Sequence, residues 1–168
     1  MTKFKEIKIK ESHIDPFELK NRWMLITAEK DGKVNTMTAS WGGFGVMWNK
    51  EVVYVVIRPQ RYTKEFVDNA DSFSLTFFDK AFMKQLGYLG KVSGRDEDKI
   101  KEAGFTVAYQ DGVPYFEEAD KAIIVRKLYA QPLKKEFFID NKPAEDWYPE
   151  KDFHTLYIAE VTKILAKE

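Results

Sequence analysis

Residues 22–40 read RWMLITAEKDGKVNTMTAS, two runs of strand-forming residues meeting at Asp31-Gly32. An Asp-Gly pair between such runs favours a tight hairpin, because both central positions of its turn take positive φ. In the second run Thr36, Thr38 and Ser40 fall on one face of a strand, and Met37, Ala39 and Trp41 on the other. Working outward, VVYVVI from Val52 is β-branched and nearly all apolar, as expected of a central strand buried on both faces. Pro59 ends it and pushes Arg58 toward an extended conformation. SFSLTFF, FTVAY, VPYFEE, KAIIVRKLYAQ and FHTLYIAEVTKI supply further strands. Between them, TKEFVDNA reads as a short helix with Thr63 as N-cap, and KAFMKQLGYLGK as a helix weakened by its glycines. SGRDEDKIKEAG reads as a capped helix, with acids in its first turn and Gly104 as its stop. Pro132 to Asp152 is polar and reads largely as loop. Strands separated by turns, without regular alternation with long helices, predict an antiparallel barrel with peripheral helices over a doubly wound sheet.

The 168 residues fit a single domain, 1–168, and 44% of them are hydrophobic, enough for a substantial core. The 27 basic and 27 acidic residues cancel, so the chain lacks the broad positive field of a nucleic-acid or anionic-membrane binder. The absence of cysteine removes disulfides, thiolate metal sites and cysteine nucleophiles. The charged start MTKFKEIKIKESHIDPF has no signal-peptide core, and no run approaches the ~20 apolar residues of a membrane helix. A cytoplasmic location and no metal, nucleic-acid or membrane partner are the resulting expectations.

Three constellations bear on chemistry. GGFGVMW begins like a dinucleotide-binding turn, but Trp48 stands at the third glycine position and a strand follows instead of a helix, which excludes that reading. The hydroxyl-rich strand has two readings: an ordinary solvent-facing strand, or a cradle in which backbone groups and hydroxyls meet the polar edge of a planar heterocycle. In the second, the glycines after Trp41 permit close approach. RPQRYTKEF places Arg58 and Arg61 between a strand end and a helix start, a pattern suited to phosphate or to plain surface charge. No carboxylate–histidine spacing specifies a metal site or a Ser–His–Asp triad. His13 reads as solvated, His154 as a buried hydrogen-bonding or pocket residue, and Asp79 and Lys91 as surface charges with a weaker claim on a pocket.

Taken in order, these segments resemble the flavin reductase-like, FMN-binding split-barrel family. NTMTASW is similar to its flavin-contacting strand, and VVYVVIRPQRYTKEF to its strand, phosphate-contacting turn and helix. SFSLTFFD, LGYLGKVSGRDEDKIKEAGF and FHTLYIAEV follow in family order, so that the resemblance covers about residues 20–162. It implies a mainly β, antiparallel split β-barrel with peripheral α-helices, forming a homodimer with FMN near the subunit interface. It carries ring and ribityl contacts onto Thr36, Met37, Thr38, Ala39, Ser40 and Trp41. The phosphate end falls on Arg58, Arg61, Tyr62 and Thr63, with Lys91 as an addition. The late strand departs from the family pattern at Phe153, where an aspartate is common, and at Ala159, where a glycine is common. The loop bearing Trp147 and Tyr148 either covers the flavin or packs as an ordinary loop.

The activity so implied is an FMN-dependent oxidoreductase that passes reducing equivalents from NADH or NADPH to a flavin or another small-molecule or protein acceptor. An FMN-binding electron carrier is the alternative, and a cofactor-free β-barrel interaction domain a third reading.

Overall fold

The computed structural model describes residues 3–168. In chain order the elements are β1 (Phe4–Ile7), α1 (Leu19–Arg22), β2 (Met24–Lys30), β3 (Lys33–Ala39), β4 (Gly42–Met47), β5 (Lys50–Ile57), α2 (Tyr62–Asn69), β6 (Ser72–Phe77), α3 (Met83–Lys91), α4 (Lys99–Glu102), β7 (Val107–Gln110), β8 (Val113–Phe116), β9 (Lys121–Pro132), α5 (Lys142–Trp147) and β10 (Thr155–Lys167). Asp31 and Gly32 make the expected turn, at φ 52° and 74°, with Lys30 opposite Lys33. The main sheet runs β3-β2-β6-β9-β10-β5-β4, with antiparallel neighbours throughout. β10 forks: Thr155–Glu160 pair with β5, whereas Ile164–Lys167 pair with β1. Its pairing with β9 is irregular at Ile158/Ala159, within the first half, and at Val161/Lys163, between the two. Among the described residues no helix is long and apolar enough to cross a membrane.

The sheet curls so that its inner face encloses one core. Met24 and Ile26, Met37, Val53 and Val55, Phe73 and Leu75, Ile123 and Val125, and Tyr157 meet there, joined by Phe66 and Val67 of α2. Each such side chain stabilises the fold by about 1.5–3 kcal/mol relative to exposure. The two ends of the sheet approach at Gly42, where a Cβ would lie 2.4 Å from the Tyr54 carbonyl oxygen and 3.5 Å from the Met24 methyl. A second layer covers the outer face of β2, β3 and β6. There Leu25, Leu86, Leu89, Ile100, Phe105 and Phe116 form another core.

That second layer explains the polar alternation of the strands. Thr36 and Thr27 hydrogen-bond to each other at 2.8 Å while the Thr36 hydroxyl also reaches the Ile26 carbonyl. Ser74 donates to the Pro114 carbonyl at 2.6 Å, and Thr38 to the Leu86 carbonyl of α3 at 2.5 Å. The alternate face of these strands is therefore buried against protein, with hydroxyls satisfying main-chain acceptors.

Several expectations change. GGFGVM, which has no strand signature, is β4, turning into β5 through Trp48 and Asn49, both at positive φ. β5 is buried on its core face at Val53, Val55 and Ile57 but only half-buried at Tyr54 and Val56, because β4 and the pocket described below adjoin that side. Helix α2 starts at Tyr62 with Arg61 as N-cap. Thr63 lies inside its first turn, buried, and accepts a 2.9 Å hydrogen bond from the Asn35 amide. Helix α3 runs unbroken through Gly87 and Gly90, since β3 packs closely there: a Cβ on Gly90 would sit 3.0 Å from that of Thr38. The SGRDED stretch is turn, and only Lys99–Glu102 is helical, capped by Asp98. Pro132–Asp152 is not all loop, as α5 lies within it. Phe4–Ile7 add a strand.

Candidate functional site

A pocket of about 380 Å³ opens where β3 and β5 end. It is lined by Met37, Thr38, Ala39, Ser40 and Trp41, by Val56 and Arg58, and by Arg61, Trp147 and His154. β3 closes the path of paired strands, so one side of it has no strand neighbour among the described residues. Main-chain N–H and C=O groups on such an edge are available to a ligand. Trp41, Trp147 and His154 form an aromatic wall: Trp41 meets Trp147 edge-on at 5.1 Å and His154 at 5.1 Å.

The two arginines differ in their commitments. Arg58 pairs with Asp152, donates to the Trp147 carbonyl at 2.9 Å and lies 5.1 Å from the Tyr148 ring centre. Gln60 donates to the same Asp152 oxygen at 2.7 Å, and these two hydrogen bonds hold the Asp152 carboxyl below its usual range. Arg61 has neither an ion pair nor a side-chain hydrogen bond to protein among the described residues, and burial lowers its basicity. Nearby Lys99 is 3% exposed and donates to the carbonyls of Leu89 and Val92 at 2.8 and 2.9 Å. Burial, helped by the charge of Arg61, pushes its amine down to about 8. Arg61, the N-cap of α2, thus brings to the pocket a guanidinium with no acidic partner among the described residues.

His154 is buried, and burial together with the Arg58 charge lowers it to about 4, so it is neutral at pH 7. Its Nδ1 lies 2.7 Å from the Tyr148 hydroxyl. Burial raises Tyr148, partly offset by the Arg58 charge and by the His154 main-chain N–H at its oxygen, and among the described residues Nδ1 is the one acceptor for its proton. The network therefore assigns the tyrosine as donor, Nδ1 as acceptor and the histidine proton to Nε2.

Of the residues singled out from the sequence, Met37 through Trp41, Arg58 and Arg61 come together here. Thr36 does not, because its hydroxyl is spent within the sheet. Thr63 holds Asn35 behind the pocket. Tyr62 lies between the Arg95 guanidinium, 4.4 Å from its ring centre, and the Lys33 amine at 5.2 Å. Lys91 is exposed at the end of α3, and Asp79 caps the turn after β6 by accepting from the Ala81 amide. Sequence reasoning passed over Val56, Gln60, Asp152 and Asn35. Asn35 is the junction of three segments flagged separately: it touches Thr63, and a Cβ on Gly94 would strike its Oδ1 at 2.1 Å.

The forked antiparallel sheet with its helical covering is a split barrel, which defines the class. The chain belongs to the flavin reductase like domain family, whose sequence model matches residues 18–168. Among solved structures it is similar to an FMN-binding domain of a flavin reductases-like enzyme from Shewanella baltica OS155, at 17% identity and TM-score 0.72 over 98% of this chain and 78% of that one. It is also similar to flavoredoxin from Methanosarcina acetivorans, at 23% identity and TM-score 0.68 over 88% and 69%. A third is the styrene monooxygenase flavin reductase of Pseudomonas putida S12, at 17% identity and TM-score 0.62 over 85% and 77%. At these identities the likeness is one of fold. An uncharacterized protein of Aeropyrum pernix is 31% identical over 103 residues, 60% of this chain, and the matched stretch spans 39% of that protein's length.

Proposed function

We propose that this pocket binds FMN and that the chain is an FMN-dependent oxidoreductase fed by NADH or NADPH. The observation that carries the reading is that a strand edge, Met37–Ala39, and a guanidinium, Arg61, neither with a partner among the described residues, share one pocket. Its volume, about 380 Å³, lies within the range of small-molecule sites. When bound, the flavin supplies a ring that accepts a hydride from a nicotinamide and passes electrons onward. The chain's part is placement. Main-chain groups along Met37–Trp41 meet the polar edge of the ring, and Ser40 and Thr38 flank the ribityl chain. Arg61 and the amino end of α2 hold the phosphate, with Lys99 adding positive potential behind them. His154 presents Nε2–H as a neutral donor, and Trp41 and Trp147 wall the pocket on one side.

The fold neighbours include both a named flavin reductase and a flavoredoxin, so an electron carrier with slow nicotinamide oxidation is the competing reading. Val46, Trp48 and Tyr129 leave an exposed apolar face on β4, its turn and β9, the proposed homodimer contact. Titration of the apoprotein with FMN, followed by NADH and NADPH oxidation, tests the proposal. Saturable binding with turnover supports the oxidoreductase, binding without turnover the carrier, and no binding by folded protein removes both.

A further inference from the structure

We infer that residues 142–152 form a detachable wall of the pocket and that Arg58 and Asp152 are the positioning residues latching it shut. On this account Arg58 controls access to the pocket and is not a phosphate ligand. The inference rests on the proposed function for the identity of the reactant, but the latch stands on the geometry of the apoprotein.

The wall belongs to an excursion closed at its base by the Leu133 amide bonding to the His154 carbonyl at 2.8 Å, where β9 and β10 also pair. Beyond that base its main-chain bonds are local: Glu145 to Asn141, Tyr148 to Ala144 and Lys151 to Tyr148. Between Asn141 and Glu150 only Ala144 and Tyr148 are buried. A segment with so few buried contacts opens independently of the core unless something fastens it. Tyr148 ties it to His154 and Trp147 rests on Trp41, but the charged fastener is Arg58, fixed at the end of β5 next to Pro59. Its guanidinium grips the segment twice, at the Asp152 carboxylate and the Trp147 carbonyl, and Gln60 adds a third bond. The other oxygen of Asp152 is buried with no partner from another described residue, so Arg58 and Gln60 are the donors that hold the carboxylate there.

What the latch holds is functional surface. Trp147, 54% exposed, stands edge-on to Trp41 and forms one side of the pocket. Tyr148 fixes the His154 proton on Nε2. Opening the segment removes the tryptophan and frees the histidine together. A guanidinium already engaged by carboxylate and carbonyl has little left for a phosphate. That assigns phosphate binding to Arg61 and gating to Arg58.

Hydrogen–deuterium exchange on the apoprotein tests the latch, using Asp152→Asn and Arg58→Lys. Exchange across residues 142–152 should accelerate at least about tenfold in both, the loss expected for one charge-assisted hydrogen bond, with β2, β6 and β9 unchanged. Unchanged exchange in that segment for both variants overturns the proposal. Flavin titrations form the second arm. A latch changes FMN and riboflavin affinity by the same factor in both variants. Selective loss of FMN in Arg58→Lys, or selective tightening of FMN in Asp152→Asn, makes Arg58 a phosphate ligand and overturns the assignment. If the wild type binds neither flavin, the proposed function fails and the exchange arm still decides the latch.

Discussion

Replacing Arg61 with alanine removes a guanidinium that borders the pocket and has no carboxylate to answer its charge among the described residues. Because no described residue is paired with it, the substitution leaves no orphaned acidic partner among them, and the fold should survive. Its loss is felt by whatever anion it holds. A hydrogen bond involving a charged group contributes about 1.5–3 kcal/mol. At tenfold per 1.4 kcal/mol, FMN affinity should fall roughly 10- to 150-fold. Riboflavin, which has the same ring and ribityl chain without the phosphate, should bind within about twofold of wild type. Removing the charge also relieves Lys99, whose depressed basicity owes part to Arg61. The assay is equilibrium titration of purified apoprotein with each ligand, read by flavin fluorescence at low and high salt. The salt dependence of FMN binding should weaken in the variant, while that of riboflavin stays flat in both proteins. Equal loss of FMN and riboflavin, or no loss of FMN, refutes the reasoning and moves the phosphate away from α2.

Other perturbations probe the supports of the pocket. Gly94→Ala drives a Cβ into the Asn35 amide that bridges to Thr63, so it should destabilise by about 1–3 kcal/mol in urea unfolding. Thr38→Val removes the bond to the Leu86 carbonyl, costing about 1 kcal/mol, and by loosening α3 on β3 should weaken FMN and riboflavin alike. His154 has a folded pKa of about 4, below the 6.5 of an unperturbed imidazole, so between those values the unfolded chain binds the extra proton. Stability should therefore fall as pH drops from about 6.5 toward 4, and urea midpoints of His154→Gln should change less across that window.

The hairpin at Asp31-Gly32 was readable because its turn chemistry is local, and the two faces of β3 because side chains alternate with period two. The same local reading could not say what each face meets. Thr36 and Ser74 are outward-facing in pattern yet buried in fact, and Thr38 is half-buried, because a second layer assembled from residues far along the chain lies over them. β4 was illegible for a related reason. GGFGVM has little intrinsic strand preference, and its extended form comes from pairing with β5 and from close approach of Gly42 to Tyr54. In the site, Arg58 and Arg61 look equivalent in RPQRYT, and only the return of Asp152 from 94 residues away separates the engaged one from the free one. Thr63 was mistaken for a cap because Thr is a common one; its hydroxyl serves Asn35 instead.

The position of FMN in a crystal of its complex tests the central claim most directly. The account predicts the ring along Met37–Trp41, with the phosphate within hydrogen-bonding distance of Arg61 at the start of α2. FMN density elsewhere, such as the polar groove between Gly32–Asn35 and Gly94–Lys99, with the Met37–Trp41 pocket empty, would contradict it.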